Sequence, residues 1–305
     1  MSFDIVIPSH DRIDNLRKVL SVVANQTKYF SDLFILVEPK GDYPEKVSKL
    51  LKELRLDEAV IIINRYPLGT DASILKCFEY GESDWVFLAG DSKLLCLDFA
   101  EKIDAEIRNS VHKAINFAWD SALDNKKIIQ SVEDLSTSQL TLGDFILASN
   151  FVYHREIIDL YLKYAYRTCS SRIGHVAIPL MHLSDAGSMV LSDKKIIDSF
   201  LEKPKNYDPG LAWIECLSCF NLLVLLPLQN KEIGLLSEMI LRNENFSDRV
   251  RFIKYFFVKT IKEKRNISKE LALLIQLRFV IKLDIIDKLT LIILLRLEWL
   301  IRCLR

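Results

Sequence analysis

The run Phe3-Asp4-Ile5-Val6-Ile7-Pro8-Ser9-His10-Asp11-Arg12 decides how the chain is read. It gathers β-branched and aromatic residues in a short block and ends it abruptly in polar side chains, the form of a buried strand that opens into a loop. Working outward, Leu16–Ala24 repeats apolar residues at helical spacing and Leu33–Val37 is a second strand. Pro44–Leu54 is a second helix, with Val47, Leu50, Leu51 and Leu54 on one face. Val60–Ile63, Ala72–Tyr80 and Trp85–Leu88 continue as strand, helix and strand, the last running into Ala89-Gly90-Asp91-Ser92-Lys93. Strands that alternate with helices predict an α/β domain, a mainly parallel sheet flanked by helices.

Farther on, Phe99–Ala122 and Arg155–Tyr166 read as helix, Ile128–Val132 and Phe145–Tyr153 as strand, and Val176–Leu183 as helix again. Beyond Pro209 the pattern is helical throughout, with the apolar stretch Leu211–Leu226 stopped by Pro227. This change of pattern divides the chain into an α/β domain, residues 1–205, and an all-helical C-terminal region, residues 206–305.

In open parallel sheets ligands bind beyond the carboxyl ends of the strands, so the residues that end each strand carry the functional reading. Strand one ends in Pro8-Ser9-His10-Asp11-Arg12, strand two in Glu38 and strand four in Asp91-Ser92-Lys93. Hydroxyl, imidazole, guanidinium and carboxylate groups on one edge suit a ribose, a base edge and a pyrophosphate. The alternative is ordinary loop polarity, with Asp11 or Asp14 capping the first helix.

The same residues carry a resemblance. The opening block, followed by Leu16, Val19, Leu20 and Val23 to Gln26, is similar to the I-V-I-P-T-Y-N-R and L-x-x-x-L-x-S-[IV] signature of the family 2 glycosyltransferases. Leu68-Gly69-Thr70-Asp71-Ala72-Ser73-Ile74-Leu75-Lys76-Cys77 and Gly81-Glu82-Ser83-Asp84-Trp85-Val86-Phe87-Leu88-Ala89-Gly90-Asp91 resemble its second block, L-G-x-x-x-N-x-x-x-A and G-E-Y-[VI]-x-x-L-x-x-D-D-D. Within that group the look is of O-antigen sugar transferases of the abequosyltransferase type. The resemblance covers residues 3–95 well, residues 142–200 loosely, and the last hundred not at all.

It implies a GT-A fold whose residues 1–205 bind a nucleoside diphosphate-sugar. Pro8, Ser9, His10 and Arg12 would approach the nucleoside, Glu38 the ribose or base, and Asp71 the base or phosphates. Asp91 would be the first carboxylate of the D-x-D motif, in which two carboxylates help hold a divalent cation, Mn2+ or Mg2+, on the diphosphate. This chain departs from the motif, because Asp91 is followed by Ser92 and Lys93. Three outcomes are open: a metal held by Asp91 and water, a diphosphate neutralised by Lys93 in the metal's place, or a loss of activity.

The resemblance also implies an acidic general base at a helix start past the metal motif. That place is Ser170-Ser171-Arg172-Ile173-Gly174-His175, so His175 stands where a carboxylate is expected, with an ordinary pKa of about 6.5 that suits proton abstraction near neutrality. A His packed against the sheet is the competing reading. Asp144, in Gly143-Asp144-Phe145, is the second candidate base and Asp185 the third, each of them equally a turn or capping residue. Ser149 and Asn150 would either hydrogen-bond sugar hydroxyls or close a loop.

Composition bounds the rest. Half of the 305 residues are hydrophobic and the formal charge is zero. Yet residues 251–305 hold 13 Lys and Arg against 5 Asp and Glu, leaving a net of −8 in residues 1–250. Between Leu271 and Arg305 the basic residues are spread through leucine-rich helix, and Phe252, Tyr255, Phe256 and Phe257 stand beside Arg251, Lys254 and Lys259. Either the tail lies on a membrane surface, or its leucines pack together or against a second subunit, making an oligomer. The charge is too diluted by leucine for a nucleic-acid partner. No apolar run reaches the roughly 18–20 residues of a membrane-spanning helix. The chain opens directly on a strand with no secretory signal, so its six cysteines read as reduced thiols, the C-x-x-C pair Cys216 and Cys219 included.

These readings converge on a cytoplasmic enzyme, peripheral on the inner face of the cell membrane. It would move a sugar, with inversion, from a nucleoside diphosphate-sugar to a hydroxyl of a glycan or glycolipid of a lipopolysaccharide, capsule or similar surface polymer. The alternative is a catalytically degenerate relative that binds nucleotide and acts as a scaffold.

Overall fold

Side chains on a strand alternate between the faces of its sheet, and in the first strand here both faces are apolar. That strand begins a computed structural model in which residues 2–108, 110–117, 125–138, 140, 145, 147–171, 173–201, 222–223 and 225–242 are described. The elements run β1 (Phe3–Ser9), α1 (Ile13–Val23), β2 (Leu33–Val37), α2 (Tyr43–Glu53), β3 (Val60–Ile63), α3 (Thr70–Cys77) and β4 (Trp85–Leu88). They continue with β5 (Lys93–Leu95), α4 (Phe99–Arg108), β6 (Ala114–Phe117), β7 (Lys127–Ile129), α5 (Val132–Thr137) and β8 (Phe151–His154). Last come α6 (Arg155–Arg167), α7 (Ala177–Ser184), β9 (Met189–Ser192), β10 (Ile197–Phe200) and α8 (Asn230–Arg242).

Phe3, Ile5 and Ile7 of β1, with Trp85 and Phe87 of β4, share one core with Leu16, Val19 and Leu20 of α1, Val47 and Leu50 of α2, and Ile103 of α4. The alternate residues, Val6, Val86 and Leu88, enter a second core with Leu75 of α3, Ile157 and Ile158 of α6, and Ile178 of α7. The result is three layers, helices on both faces of the sheet. Burying one such side chain contributes roughly 1.5–3 kcal/mol, so the period-2 pattern of β1 alone commits the chain to a covered sheet.

Eight strands form that sheet, in the order β3-β2-β1-β4-β8-β6-β9-β7. β3, β2, β1 and β4 are parallel. β8 runs antiparallel to both β4 and β6, β9 is parallel to β6, and β7 closes the edge antiparallel. The expected α/β architecture with a mainly parallel sheet is present. The chain leaves β1 for β2 on one side and returns from β3 to β4 on the other. This makes the carboxyl ends of β1 and β4 a topological switch point, where open α/β sheets leave a crevice.

Several expected boundaries are corrected. The helix predicted over 99–122 stops at Arg108, and Ala114–Phe117 is a strand, wholly buried between β8 and β9. The strand-like 128–132 is split: β7 ends at Ile129, and Ser131 caps α5 by accepting Asp134 N–H at 3.0 Å. The strand predicted from 145 begins only at Phe151, after a 3-10 turn over Ala148–Asn150. Neither Asp11 nor Asp14 caps α1, whose N-cap is Arg12 without a side-chain bond. A two-stranded ribbon, β5 against β10, was not expected at all; it pairs Lys93 with Phe200 and Leu95 with Ile197.

Beyond residue 201, α8 lays Leu236 and Met239 into the second core, and Lys231 meets Glu133 of α5 at 2.7 Å. The basic tail 251–305 and the Cys216/Cys219 pair lie outside the described residues. Among the described residues, no helix is long and apolar enough to cross a membrane.

Candidate functional site

A cavity of about 670 Å³ opens at the switch point. Pro8, Ser9, His10, Arg12, Glu38, Asp71, Asp91, Lys93 and His175 all line it. Residues from the ends of β1, β2 and β4 are thus brought together with one from 175 positions along the chain. Asp144 lies outside the described residues. Asp185 is elsewhere: it ends α7 and accepts the Tyr161 hydroxyl at 3.0 Å.

The β1 and β4 tips are joined by a chain of hydrogen bonds. The Ser9 hydroxyl donates to Asp91 Oδ2 at 3.0 Å, and Arg12 Nη1 stands 3.2 Å from Asp91 Oδ1. Since the single Ser9 proton goes to Asp91, the Tyr43 hydroxyl, 2.6 Å away, donates to Ser9 Oγ and in turn accepts Arg12 N–H at 3.3 Å. Burial pushes the Asp91 carboxyl up from its ordinary value, against the downward pull of Arg12, the Ser9 hydroxyl and the His10 N–H. Burial likewise raises the Tyr43 phenol, against the bond it accepts from Arg12 N–H. Tyr43 gave no signal in the sequence, where an aromatic residue at a helix start reads as core.

Glu38 is saturated. One carboxylate oxygen accepts Leu68 N–H at 3.0 Å, and the other accepts the Asn64 amide at 3.3 Å and the Ser73 hydroxyl. It lines the cavity while knitting the end of β2 to the end of β3 and the first turn of α3. Gly69 precedes that turn with φ +77°, a left-handed conformation that a side chain would strain.

The opposite wall comes from the second half of the sheet. Ser149 Oγ accepts Gly90 N–H at 2.9 Å, so this residue, read as either a sugar contact or a loop closure, does close the loop before Asp91 and also lines the cavity. His175 is 3% exposed and sits in a 3-10 turn, Gly174–Val176, that leads into α7. A Cβ on Gly174 would lie 2.7 Å from the Ala165 carbonyl and 3.2 Å from Leu75, so only glycine lets the turn pack this closely on α6 and α3.

As a metal site the residue set does not fit. Both Asp91 oxygens are engaged by the chain's own donors, and Lys93, 8% exposed, holds the position of the second carboxylate. Among the described residues, no three His, Cys, Asp or Glu side chains cluster as ligands.

No protein family and no curated protein matches the chain. Solved structures do. S. aureus TarS 1–349 is 10% identical, with a TM-score of 0.52 over 84% of this chain and 79% of that one. Its complex with UDP-GlcNAc is 10% identical, with a TM-score of 0.53 over 83% and 79%. The mannosyltransferase PcManGT from Pyrobaculum calidifontis, in complex with GDP-Man and Mn2+, is 8% identical, with a TM-score of 0.54 over 92% and 81%. At these identities the likeness speaks for architecture alone, and that architecture is the expected GT-A fold.

Proposed function

We propose that the protein is a glycosyltransferase that moves a sugar from a nucleoside diphosphate-sugar to an acceptor hydroxyl. The observation that carries the reading is the convergence of Ser9, Arg12, Asp71, Asp91, Lys93 and His175 on one cavity at the switch point of a GT-A sheet. The likeness to structures holding UDP-GlcNAc and GDP-Man supports the donor class.

In this reading the acceptor hydroxyl attacks the anomeric carbon and inverts it. A carbon–oxygen bond forms to the acceptor, the bond to the diphosphate breaks, and its electron pair leaves with the nucleotide. His175 takes the acceptor's proton; a positioned base contributes about 10²–10⁴-fold. Arg12 and Lys93 face the charge that grows on the leaving group. The cavity-lining Asp71 and Glu38 stand at the nucleoside side. A glycan or glycolipid acceptor at the inner membrane surface, and a helical region 206–305 that meets membrane or a second subunit, are supported by the sequence of the tail alone.

The test is release of nucleoside diphosphate from a panel of UDP-, GDP-, CDP- and dTDP-sugars, with and without glycolipid acceptors. Turnover by the native chain, reduced at least about a hundredfold in His175→Ala, is the expected result. Tight nucleotide binding without any turnover would favour a scaffold, the reading suggested by the altered D-x-D motif. Absence of both would end the proposal.

A further inference from the structure

The charges around Asp91 are arranged in the opposite sense to a metal-binding carboxylate pair. Two carboxylates carry −2 and need a divalent cation before an anionic diphosphate can approach. Here Arg12, Asp91 and Lys93 sum to +1, while Glu38 and Asp71 line the part of the cavity read as the nucleoside side. Each oxygen of Asp91 already accepts one of the chain's own donors: Arg12 Nη1 is 3.2 Å from Oδ1 and the Ser9 hydroxyl 3.0 Å from Oδ2. A divalent ion of the Mg2+ or Mn2+ kind requires several oxygen ligands; here, among the described residues at the β4 tip, it would find one carboxylate, already paired with a guanidinium that repels it.

Arg12 is held at its backbone and tip, and Lys93 at its backbone. Arg12 is fixed at its backbone by the Tyr43 hydroxyl and at its tip by Asp91. Its side chain is nevertheless 51% exposed on the cavity side of that pair. A guanidinium has five N–H donors in a planar fork, and the contact to Asp91 is made by Nη1, so the fork can bind phosphate oxygens while still held by the carboxylate. Lys93 begins the ribbon strand β5, whose pairing with β10 and the bond from Leu201 N–H to Ser92 O at 3.1 Å set its backbone.

We propose that this chain grips the diphosphate of its donor without a divalent metal, through the Arg12 guanidinium and the Lys93 ammonium, with Asp91 a positioning residue for Arg12 and not a metal ligand. The inference rests on the donor reading above and specifies how that site handles charge.

The test is calorimetric titration of UDP, GDP, CDP and dTDP into the full chain, in excess EDTA and in excess Mn2+, with the matching nucleosides as controls. The nucleotide that binds is expected to do so with a Kd that agrees within about twofold between the two buffers. In EDTA, Arg12→Gln and Lys93→Met are each expected to weaken it about tenfold or more, with Arg12→Lys recovering part of the loss. A circular dichroism melting curve matching that of the native chain reports that each variant has folded. Binding that appears only with Mn2+ overturns the inference and leaves the donor reading standing. Metal-free binding indifferent to both substitutions overturns it as well. No nucleotide bound in either buffer removes both.

Discussion

Replacing Glu38 by Gln distinguishes two roles for a carboxylate that faces the cavity. The side chain is 3% exposed and receives Leu68 N–H, the Asn64 amide and the Ser73 hydroxyl. Glutamine keeps the shape, but it turns one acceptor oxygen into an NH2 that points at donors and removes the charge from every remaining bond. A hydrogen bond to a charged group contributes about 1.5–3 kcal/mol, and a buried donor left unmet costs about 1–3 kcal/mol. Leu68 is exposed enough to turn to water, whereas Asn64 and Ser73 are buried. A loss of about 2–4 kcal/mol follows, and at about 2–4 °C per kcal/mol for a domain of this size, Tm falls by roughly 4–16 °C. Thermal melting followed by circular dichroism measures the effect, and titration with nucleoside diphosphate measures its counterpart in binding. An unchanged Tm with donor affinity reduced about tenfold would refute the reasoning and favour a direct role for Glu38 at the ribose or base, as the resemblance implies.

Two further outcomes are expected. In Gly174→Ala the new Cβ meets the Ala165 carbonyl at 2.7 Å, so the turn carrying His175 must shift; stability should drop by about 1–3 kcal/mol and kcat by about tenfold to a hundredfold, and normal kcat in a crystal with an unmoved turn would contradict this. Burial raises the Asp91 pKa, so its ionised form weakens the fold: the contribution is most favourable below the ordinary carboxylate value and is lost as pH rises through the raised one. Asp91→Asn should therefore hold or increase Tm at neutral pH and flatten its acid-range pH dependence while weakening nucleotide binding, and a marked fall in Tm would show that the ion pair stabilises the chain.

What could be read from the sequence follows from physical range. The units from β1 to β4 were legible because each pairs a short apolar run with an amphipathic helix, and Phe3, Ile5 and Ile7 are set against Leu16, Val19 and Leu20 within a few residues. Ala114–Phe117 was read as helix because four buried residues are too short to show a period, and their burial comes from β8 and β9, which follow later. The β5–β10 ribbon was invisible for the same reason, since Lys93 and Phe200 meet only in the folded chain. Asp11 looked like a helix cap, but its backbone is left-handed, φ 51°, and its carboxylate is drawn outward to Lys40 at 2.5 Å. For His175 the sequence offers only the resemblance. Its presence on the cavity wall depends on Gly174 lying against Ala165, a contact that no local pattern encodes.

The loop from Gly90 to Lys93 shows why the departure from D-x-D is more than one exchanged side chain. It is tied to Ser149 through Gly90 N–H, to Ser9 and Arg12 through Asp91, and to Leu201 through Ser92 O. These contacts come from three distant parts of the chain, so the loop cannot re-form around a new ligand without loosening several elements together. An aspartate introduced at position 93 would lie near a carboxylate whose oxygens are already taken and beside a guanidinium that would draw both acids to itself. A metal pair would require Arg12 to leave as well, and with it the bond that holds the β4 tip to the start of α1. The guanidinium on Asp91 is thus placed by the hydrogen bonds that join the β1 and β4 tips, while position 93 is placed by the ribbon with β10, so the two cationic positions depend on different parts of the fold.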